Sequence, residues 1–343
     1  MVCLVSVLLL WSFKAVEGPA VILAGTSLER HETKSHLPAQ LFDRRLDPDL
    51  TARDVSFRHS GWTRNRDRIM HAFRSLRLPE KRLERFENCG ANAWVMRATD
   101  EPELFRLSCD RCRDRFCVPC GREKAQVVAG NLDAALGGRT VRFVTLTLRS
   151  READLAECVD RLYRCFARLR RRKCWSCSQA GGAAFLEIKW TPEKQQWHPH
   201  LHIVCEGKFL DQRELSNNWK EITGDSFIVD IRLIKQSGDC ARYVTKYVAK
   251  GLGGSYMHDP DKVQEAILCL SGRRLFATFG SWRGMELLKK SCEHDWECVA
   301  RLRDVQHKAE LGDPESLKIL EILSPKHKEK GAVEPCEIPG PSP

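Results

Sequence analysis

Residues 183–205 read AAFLEIKWTPEKQQWHPHLHIVC. Both ends are apolar, and TPEKQQ (191–196) between them is a polar turn. This pattern predicts two antiparallel strands, 183–190 and 197–205, joined as a hairpin. Side chains alternate faces along a strand, so His200 and His202 point the same way. A lone histidine on an apolar strand is usually structural, whereas two at i and i+2 set paired imidazoles side by side, as two ligands of one metal would require. His198 shares their parity, although Pro199 intervenes. On the partner strand Glu187 could complete a two-His-one-carboxylate site. Glu193 in the turn competes for that role, and a solvated strand face is the plainer reading of Glu187. Such a mixed donor set suits Mn²⁺ or Mg²⁺ bound to phosphate oxygens.

On either side of this hairpin the pattern continues. VRFVTLTL (141–148) alternates and is rich in β-branched residues, which predicts a strand. Leu155, Val159, Leu162, Phe166 and Leu169 recur at helical spacing and predict a helix over 152–173, with a cationic end at Arg168 and Arg170 to Lys173. Residues 211–221 read as a short helix ending near Gly224, and SFIVDIRLI (226–234) as a strand. Asp239 to Lys250 read as a helix stopped by Gly251, Gly253 and Gly254. The order β-α-β-β-α-β-α predicts an α+β fold, an antiparallel ferredoxin-like or RRM-like sheet with helices packed on it. Residues 64–85 are Arg-rich and read as a basic helix, residues 262–323 as partly helical, and the Pro- and Gly-rich end as a disordered tail.

The helix over 239–250 carries Tyr243-Val-Thr-Lys-Tyr247-Val-Ala-Lys250. Tyr243 and Tyr247 are four apart and share a face, with Lys246 and Lys250 beside it. Ammonium groups lower the pKa of a nearby phenol and neutralise phosphate charge. Together with a His-bound metal, these residues describe transesterification at a phosphodiester with tyrosine as covalent nucleophile. Taken alone, the helix reads as an amphipathic element with half-buried tyrosines.

Cys89, Cys109, Cys112, Cys117 and Cys120 crowd one segment. Tetrahedral Zn²⁺ takes four thiolate or imidazole ligands, and CxxC turns supply that geometry. Cys112, Cys117 and Cys120 are expected ligands. The fourth is either Cys109, which is local, or Cys89 in its Cys-Gly turn. The lone pair Cys174/Cys177, and Cys292, His294 and Cys298, read as ordinary core or surface residues.

The chain has 343 residues, 42% hydrophobic and 30% charged, with 56 Lys and Arg against 46 Asp and Glu, a formal net charge of +10. This excludes wholesale disorder, allows about two domains, and favours a polyanionic partner. Clustered rather than evenly spaced cysteines, among 16 in all, point to a metal site in a reducing compartment rather than a disulfide scaffold. A cytoplasmic protein with no membrane partner is therefore expected. Residues 2–13, VCLVSVLLLWSF, resemble a signal-peptide core but lack a positive flank and are too short to span a bilayer. A buried segment, or a start codon assigned too far upstream, is favoured over export. No G-x-x-x-x-G-K-[ST] occurs.

FVTLTL (143–148), His-Pro-His-Leu-His (198–202) and the two-tyrosine segment (243–250), in that order, resemble the HUH endonuclease superfamily. Within it they resemble the rolling-circle replication initiators of plasmids and phages. The segments TGDSFIVDI (223–231) and RRLFATFGSWRG (273–284) and the cysteine knuckle look like the plasmid type, so the resemblance spans roughly 86–284. It implies the HUH nuclease fold plus a small zinc knuckle, with His200 and His202 as ligands of a catalytic Mn²⁺ or Mg²⁺ and Zn²⁺ as the structural ion. It also implies Tyr247 as the first nucleophile. Many plasmid initiators carry a Glu where this chain has Tyr243, so that residue is either a second nucleophile or a bystander. Implied partners are single-stranded or hairpin origin DNA, a host helicase and a host polymerase. The expected organisation is a variable basic region (1–85), a zinc module (86–125), the catalytic domain (126–255), a helical/β extension (256–323) and a tail (324–343). Alternatives are a two-tyrosine HUH transposase and a non-enzymatic zinc-dependent nucleic-acid-binding protein. The latter normally needs stacking aromatics on the central strands, where FVTLTL offers only Phe143.

Overall fold

The computed structural model describes residues 48–137, 139, 141–234, 254–288 and 294–324. The apolar N-terminal run, the tyrosine helix with Tyr243, Lys246, Tyr247 and Lys250, and the expected tail beyond residue 324 lie outside these described residues. Among the described residues no helix is long and apolar enough to cross a membrane.

The described chain begins with helices α1 (Pro48–Arg58), α2 (Thr63–Ser75) and α3 (Glu80–Glu87), then strands β1 (Trp94–Ala98) and β2 (Phe105–Ser108), then α4 (Val118–Leu136). Next come β3 (Val141–Thr147), α5 (Leu155–Leu169), α6 (Lys173–Ser176), β4 (Gln179–Glu187), β5 (Trp190–Thr191), β6 (Gln196–Trp197), β7 (His200–Gly207), α7 (Gln212–Thr223) and β8 (Val229–Ile234). After residue 254 follow α8 (Pro260–Leu270), β9 (Phe276–Gly280), β10 (Trp296–Arg301), α9 (Leu302–Glu310) and α10 (Pro314–Leu323).

The central sheet is antiparallel, in the order β8-β3-β7-β4-β9. The expected hairpin is therefore the β4–β7 pair. Its turn contains a small second hairpin, β5–β6, in which Trp190 pairs with Trp197. Strand alternation divides the sheet's residues between two faces. Val144, Leu146, Leu186, Leu201 and Ile203 pack against α5, α7 and α8 through residues such as Leu162, Leu215 and Ile267. Val141, Phe143, Ala183, Phe185 and Val204 pack against Val128, Leu132 and Leu136 of α4, with Trp282 and Leu287. The histidines share that second face.

Helix boundaries differ from the expected ones for local reasons. Helix α5 starts at Leu155 because the Asp154 side chain accepts a hydrogen bond from Glu157 N (2.7 Å) as N-cap. Its regular turns end at Leu169, so Arg170 to Lys173 lie beyond it. Much of the expected basic face is engaged internally: Arg161 donates to Asp225 Oδ1 (2.6 Å), Arg168 to Ile222 O (3.0 Å), and Arg170 stacks over Phe166. The single basic helix expected over 64–85 is two helices, broken where Arg77 adopts φ +49° ahead of Pro79. Helix α7 ends on Gly224, whose φ of +82° makes a left-handed cap that a side chain would strain.

Strand β4 begins at Gln179, four residues before the expected start. Its glycines permit this: a Cβ on Gly182 would lie 2.3 Å from Val204 O of β7. The periodicity also left four short strands unread. Strand β9 extends the central sheet by pairing with β4, and β10 pairs with β1 in a separate sheet ordered β10-β1-β2. Residues 256–323 thus contribute a strand to each of the two larger sheets, and α4 runs across the expected boundary at 125/126.

Because Gly182 lets β4 and β7 approach, Gly182→Ala should push them apart and cost about 1–3 kcal/mol. Urea unfolding of the variant checks this, and an unchanged midpoint would contradict it.

Candidate functional site

Register within the β4–β7 and β3–β7 pairs assembles the first site. Glu187 lies directly opposite His200 on one side, and Thr147 opposite it on the other; Thr145 lies opposite His202. Glu187, His200 and His202 are buried, at 3%, 8% and 4% exposure. The Nε2–H of His202 donates to Glu187 Oε2 (2.7 Å), and Lys189 Nζ lies 3.6 Å from the same oxygen. His202 Nδ1 hydrogen-bonds with Thr145 Oγ1 (3.2 Å), and His200 Nδ1 with Thr147 Oγ1 (3.1 Å). Phe143 stacks on the His202 ring at 5.5 Å and fixes its plane. His198 stands beside His200, ring centroids 4.4 Å apart. Glu193 is exposed in the turn Pro192–Lys194, so the carboxylate at the histidines is Glu187.

The electrostatics follow from burial. Burial alone would raise the Glu187 carboxyl, but the hydrogen bond from His202 and the charges of His202 and Lys189 bring it down to about 2. Burial pushes His200 down to about 3, helped by His198 and Lys189. His200 and Glu187 are thus in the protonation states that metal ligands need, a neutral imidazole and an ionised carboxylate.

The donor types suit a divalent cation, but the ligand atoms of His200, His202 and Glu187 are not all gathered within 4.8 Å of one another as those of Cys89, Cys112, Cys117 and Cys120 are. His200 Nε2 is buried and has no hydrogen-bond partner among the described residues. An orphaned acceptor of this kind carries a desolvation cost that a ligand would remove. A threonine hydroxyl can donate or accept. Thr145 and Thr147 can therefore hold either imidazole tautomer, including the one that offers Nε2 to a cation. The sequence reading passed over both threonines, since hydroxyls are common in strands. Their signal was the shared parity of Thr145 and Thr147 in FVTLTL, on a strand adjacent to the histidines.

The second site is the cysteine quartet. Cys89, Cys112, Cys117 and Cys120 are buried, with sulfur atoms within 4.8 Å of one another, and they form the only such metal-ligating group among the described residues. Cys89 Sγ lies 3.7 Å from Cys117 Sγ and 3.6 Å from Cys120 Sγ, and Cys112 Sγ lies 3.8 Å from Cys120 Sγ. A tetrahedron with Zn–S of about 2.3 Å has edges of about 3.8 Å. The separations are too long for disulfides, whose S–S is about 2.05 Å, and match that tetrahedron.

Cys109 is excluded, and Cys89 is the fourth member. Gly90 N donates to Asp110 O and Asp110 N to Ala91 O, both at 2.8 Å, which clips residues 89–91 to the strand's end. That pairing brings Cys89 to Cys112 and packs Cys109 against the core of the other sheet. Burial raises the Cys109 thiol to about 11. Within the quartet, hydrogen bonds from Cys112 and Cys117 lower Cys120 to about 6 and also lower Cys89, while contacts with Cys112 and Cys120 push Cys117 up.

Two residues missed in the sequence close the quartet. Arg58 Nη2 donates to Cys120 Sγ (3.5 Å) while its Nη1 pairs with Glu123 (2.9 Å). His59 Nε2 lies 3.6 Å from Cys117 Sγ, with Nδ1 on Val55 O (2.9 Å). A tetrathiolate zinc centre carries two net negative charges, and a buried guanidinium offsets part of that. No spacing rule links residues 58 and 59 to cysteines some thirty or more positions away.

The sequence model of the replication-protein family Rep_1 matches residues 105–323, more than half of the chain. The chain belongs to the Rep_1 family. The match takes in the histidine strand, Glu187 and the cysteines from Cys109 onward; Cys89 and α1 precede it. Among curated relatives, a "Protein rep" of Staphylococcus aureus is 23% identical over 208 residues, covering 54% of this chain and 90% of that protein. A "Protein rep" of Streptococcus pneumoniae is 24% identical over 192 residues, covering 50% of this chain and 59% of that protein. A third, of Bacillus amyloliquefaciens, is 24% identical over 171 residues, 45% of this chain and 50% of that protein. The chain thus spans only about half the length of two of these relatives. No solved structure matches it.

For this Rep_1 chain, purified protein is expected to carry one Zn²⁺, released by Cys89→Ala and retained by Cys109→Ala. Elemental analysis checks this, and the opposite pattern would contradict the assignment. The histidine site predicts an acid-sensitive fold. A buried His200 with its pKa depressed to about 3 stays neutral when the unfolded chain, with a pKa near 6.5, takes up a proton. The unfolded state then binds more protons, so stability falls as pH drops below about 6.5. Going from pH 7 to pH 5 should cost wild type roughly 2 kcal/mol more than His200→Asn, and parallel losses in denaturant titrations would refute it.

Proposed function

We propose that the chain is a rolling-circle replication initiator of plasmid type: a metal-dependent, site-specific single-strand DNA endonuclease and ligase. The observation that carries the reading is the buried face on which His200, His202 and Glu187 meet, within a chain of a replication-protein family. The strand order β8-β3-β7-β4 supports the ferredoxin-like HUH reading, because by chain order it runs fourth, first, third, second. The quartet supports a structural Zn²⁺.

Mn²⁺ or Mg²⁺ held by His200, His202 and Glu187 would supply Lewis acidity to the scissile phosphate. Thr145 and Thr147 orient the imidazoles, and the Lys189 ammonium beside Glu187 adds positive potential toward the phosphate. The Tyr247 hydroxyl attacks phosphorus, forming a 5′-phosphotyrosine, and the leaving oxygen takes up a proton to become a free 3′-OH. Lys246 and Lys250 neutralise phosphate charge. A host polymerase extends the 3′-OH and a host helicase opens the duplex. Tyr243 then attacks the regenerated junction, taking its 5′-phosphate and freeing the 3′-OH of the displaced strand; that 3′-OH attacks the Tyr247 phosphotyrosine, which closes the circle and releases the Tyr247 phenol. Ester replaces ester at each step, so no nucleotide cofactor is consumed. All of this takes place in the cytoplasm.

A cleft of about 530 Å³ beside the quartet, lined by Lys81, Arg82, Arg85 and Arg113, supplies a path for the phosphate backbone. Part of the Arg-rich segment also serves the fold. Arg82 pairs with Asp114 (2.7 Å) and Arg85 donates to Cys112 O (3.2 Å), which ties α3 to the cysteine loop.

The test is incubation with labelled single-stranded hairpin DNA and Mn²⁺, followed by mass mapping of the DNA-linked peptide. A link at Tyr247, lost in Tyr247→Phe and in His200→Ala while DNA binding persists, is the expected result. A link at Tyr243 alone would move the nucleophile, and no link to any origin strand would overturn the reading.

A further inference from the structure

The second sheet, β10-β1-β2, has one face packed on helices and one partly exposed, where Met96 and Ala98 are themselves buried. Val95, Leu107 and Ala300 face inward and pack on α9 and α10 through Leu302, Val305 and Ile319. Register places Trp94 beside Arg301, and Met96 between Arg106 and Cys298, on the opposite face. Trp296 shares that face, because the Arg106 guanidinium lies over its ring at 4.0 Å. The Arg301 guanidinium lies over Trp94 at 4.7 Å. Arg106 is exposed, and Trp94, Trp296 and Arg301 are partly so. Beside Trp296, His294 packs edge-on at 5.9 Å and is hydrogen-bonded to Asp100 Oδ2 (2.8 Å). The strand's acidic member, Glu297, is paired with Arg97 on the inner side (2.7 Å).

We propose that this outward face is a second nucleic-acid surface, which holds unpaired DNA away from the histidine site. The proposal rests on the DNA-processing reading above and adds a surface to it. Two indoles, each stacked with a guanidinium, supply planar π surfaces at two places on one sheet. Bases stack on both aromatic rings and arginine planes irrespective of sequence. The same guanidiniums lie where the phosphates of a stacked strand would pass, and cations beside aromatic rings complement that charge. A sheet covered by helices on one side and bearing aromatic and cationic residues on the other suits a single strand better than a protein partner, since its apolar surface is broken by charge. Strand displacement, which the proposed reaction entails, produces such a strand.

The experiment measures fluorescence anisotropy of a labelled oligothymidylate with the full-length, zinc-loaded protein and no Mn²⁺, so that no cleavage intervenes. Arg106→Gln/Arg301→Gln is expected to weaken binding about 5- to 100-fold, and to flatten the dependence of log K on log salt by up to about 1.4. Trp296→Leu is expected to weaken binding comparably, and Trp296→Phe, which keeps a ring, by much less. Melting temperatures of all variants are read alongside. If a variant melts like wild type and binds with unchanged affinity and salt slope, the proposal is overturned. Tighter binding of oligouridylate than of oligothymidylate would overturn the assignment to DNA. Covalent attachment to origin hairpins is scored separately: its loss with variant-sensitive oligothymidylate binding would overturn the nicking reading and leave this one standing.

Discussion

Everything at the first site depends on strand β7 lying between β3 and β4 in fixed register. One strand supplies two histidines, and their usefulness depends on which residues the neighbours place beside them. A slip of one residue in β4 would turn Glu187 to the opposite, apolar face. A slip in β3 would replace Thr145 and Thr147 with Val144 and Leu146. The register is held by two apolar faces at once, since Val144, Leu146, Leu201 and Ile203 must meet α5 while Phe143, Phe185 and Val204 meet α4. The core thus positions the polar site without contributing to its chemistry.

The same constraint explains the charges. Burying two imidazoles and a carboxylate in a sheet is costly unless they compensate one another. The His202–Glu187 hydrogen bond does so for one pair, while His200 Nε2 is left without a partner. An incompletely satisfied buried cluster is a poor device for stability. The cysteine quartet follows similar logic elsewhere. There Arg58 and His59 reach the sulfur atoms from the end of α1, so the quartet ties the N-terminal helices to the loop before α4.

The sequence revealed those elements whose pattern is local. Strands β3, β7 and β8 and helices α5 and α7 carry clear periods, and the parity of His200 and His202 follows from strand geometry alone. Glu187 was legible as a candidate because the hairpin around it was legible; its advantage over Glu193 came from burial, which the sequence does not display. Strands β1, β2, β9 and β10 were hidden because they are short and owe their pairing to distant partners, as when Arg97 meets Glu297. Cys89 and Cys109 could not be separated, since the choice rests on the clip between residues 89–91 and 110. Arg58, His59, Thr145 and Thr147 were missed for a related reason. Each acts by supporting another residue's side chain, and no spacing pattern records that.

The proposed cation site at His200, His202 and Glu187 is separate from the cysteine quartet. Anomalous diffraction from crystals of zinc-loaded protein soaked in Mn²⁺, recorded near the manganese edge, tests it most directly. The account predicts a manganese peak bounded by the Nε2 atoms of both histidines and a Glu187 oxygen, with zinc retained among the four sulfur atoms. Manganese bound elsewhere, or at neither histidine, would contradict it.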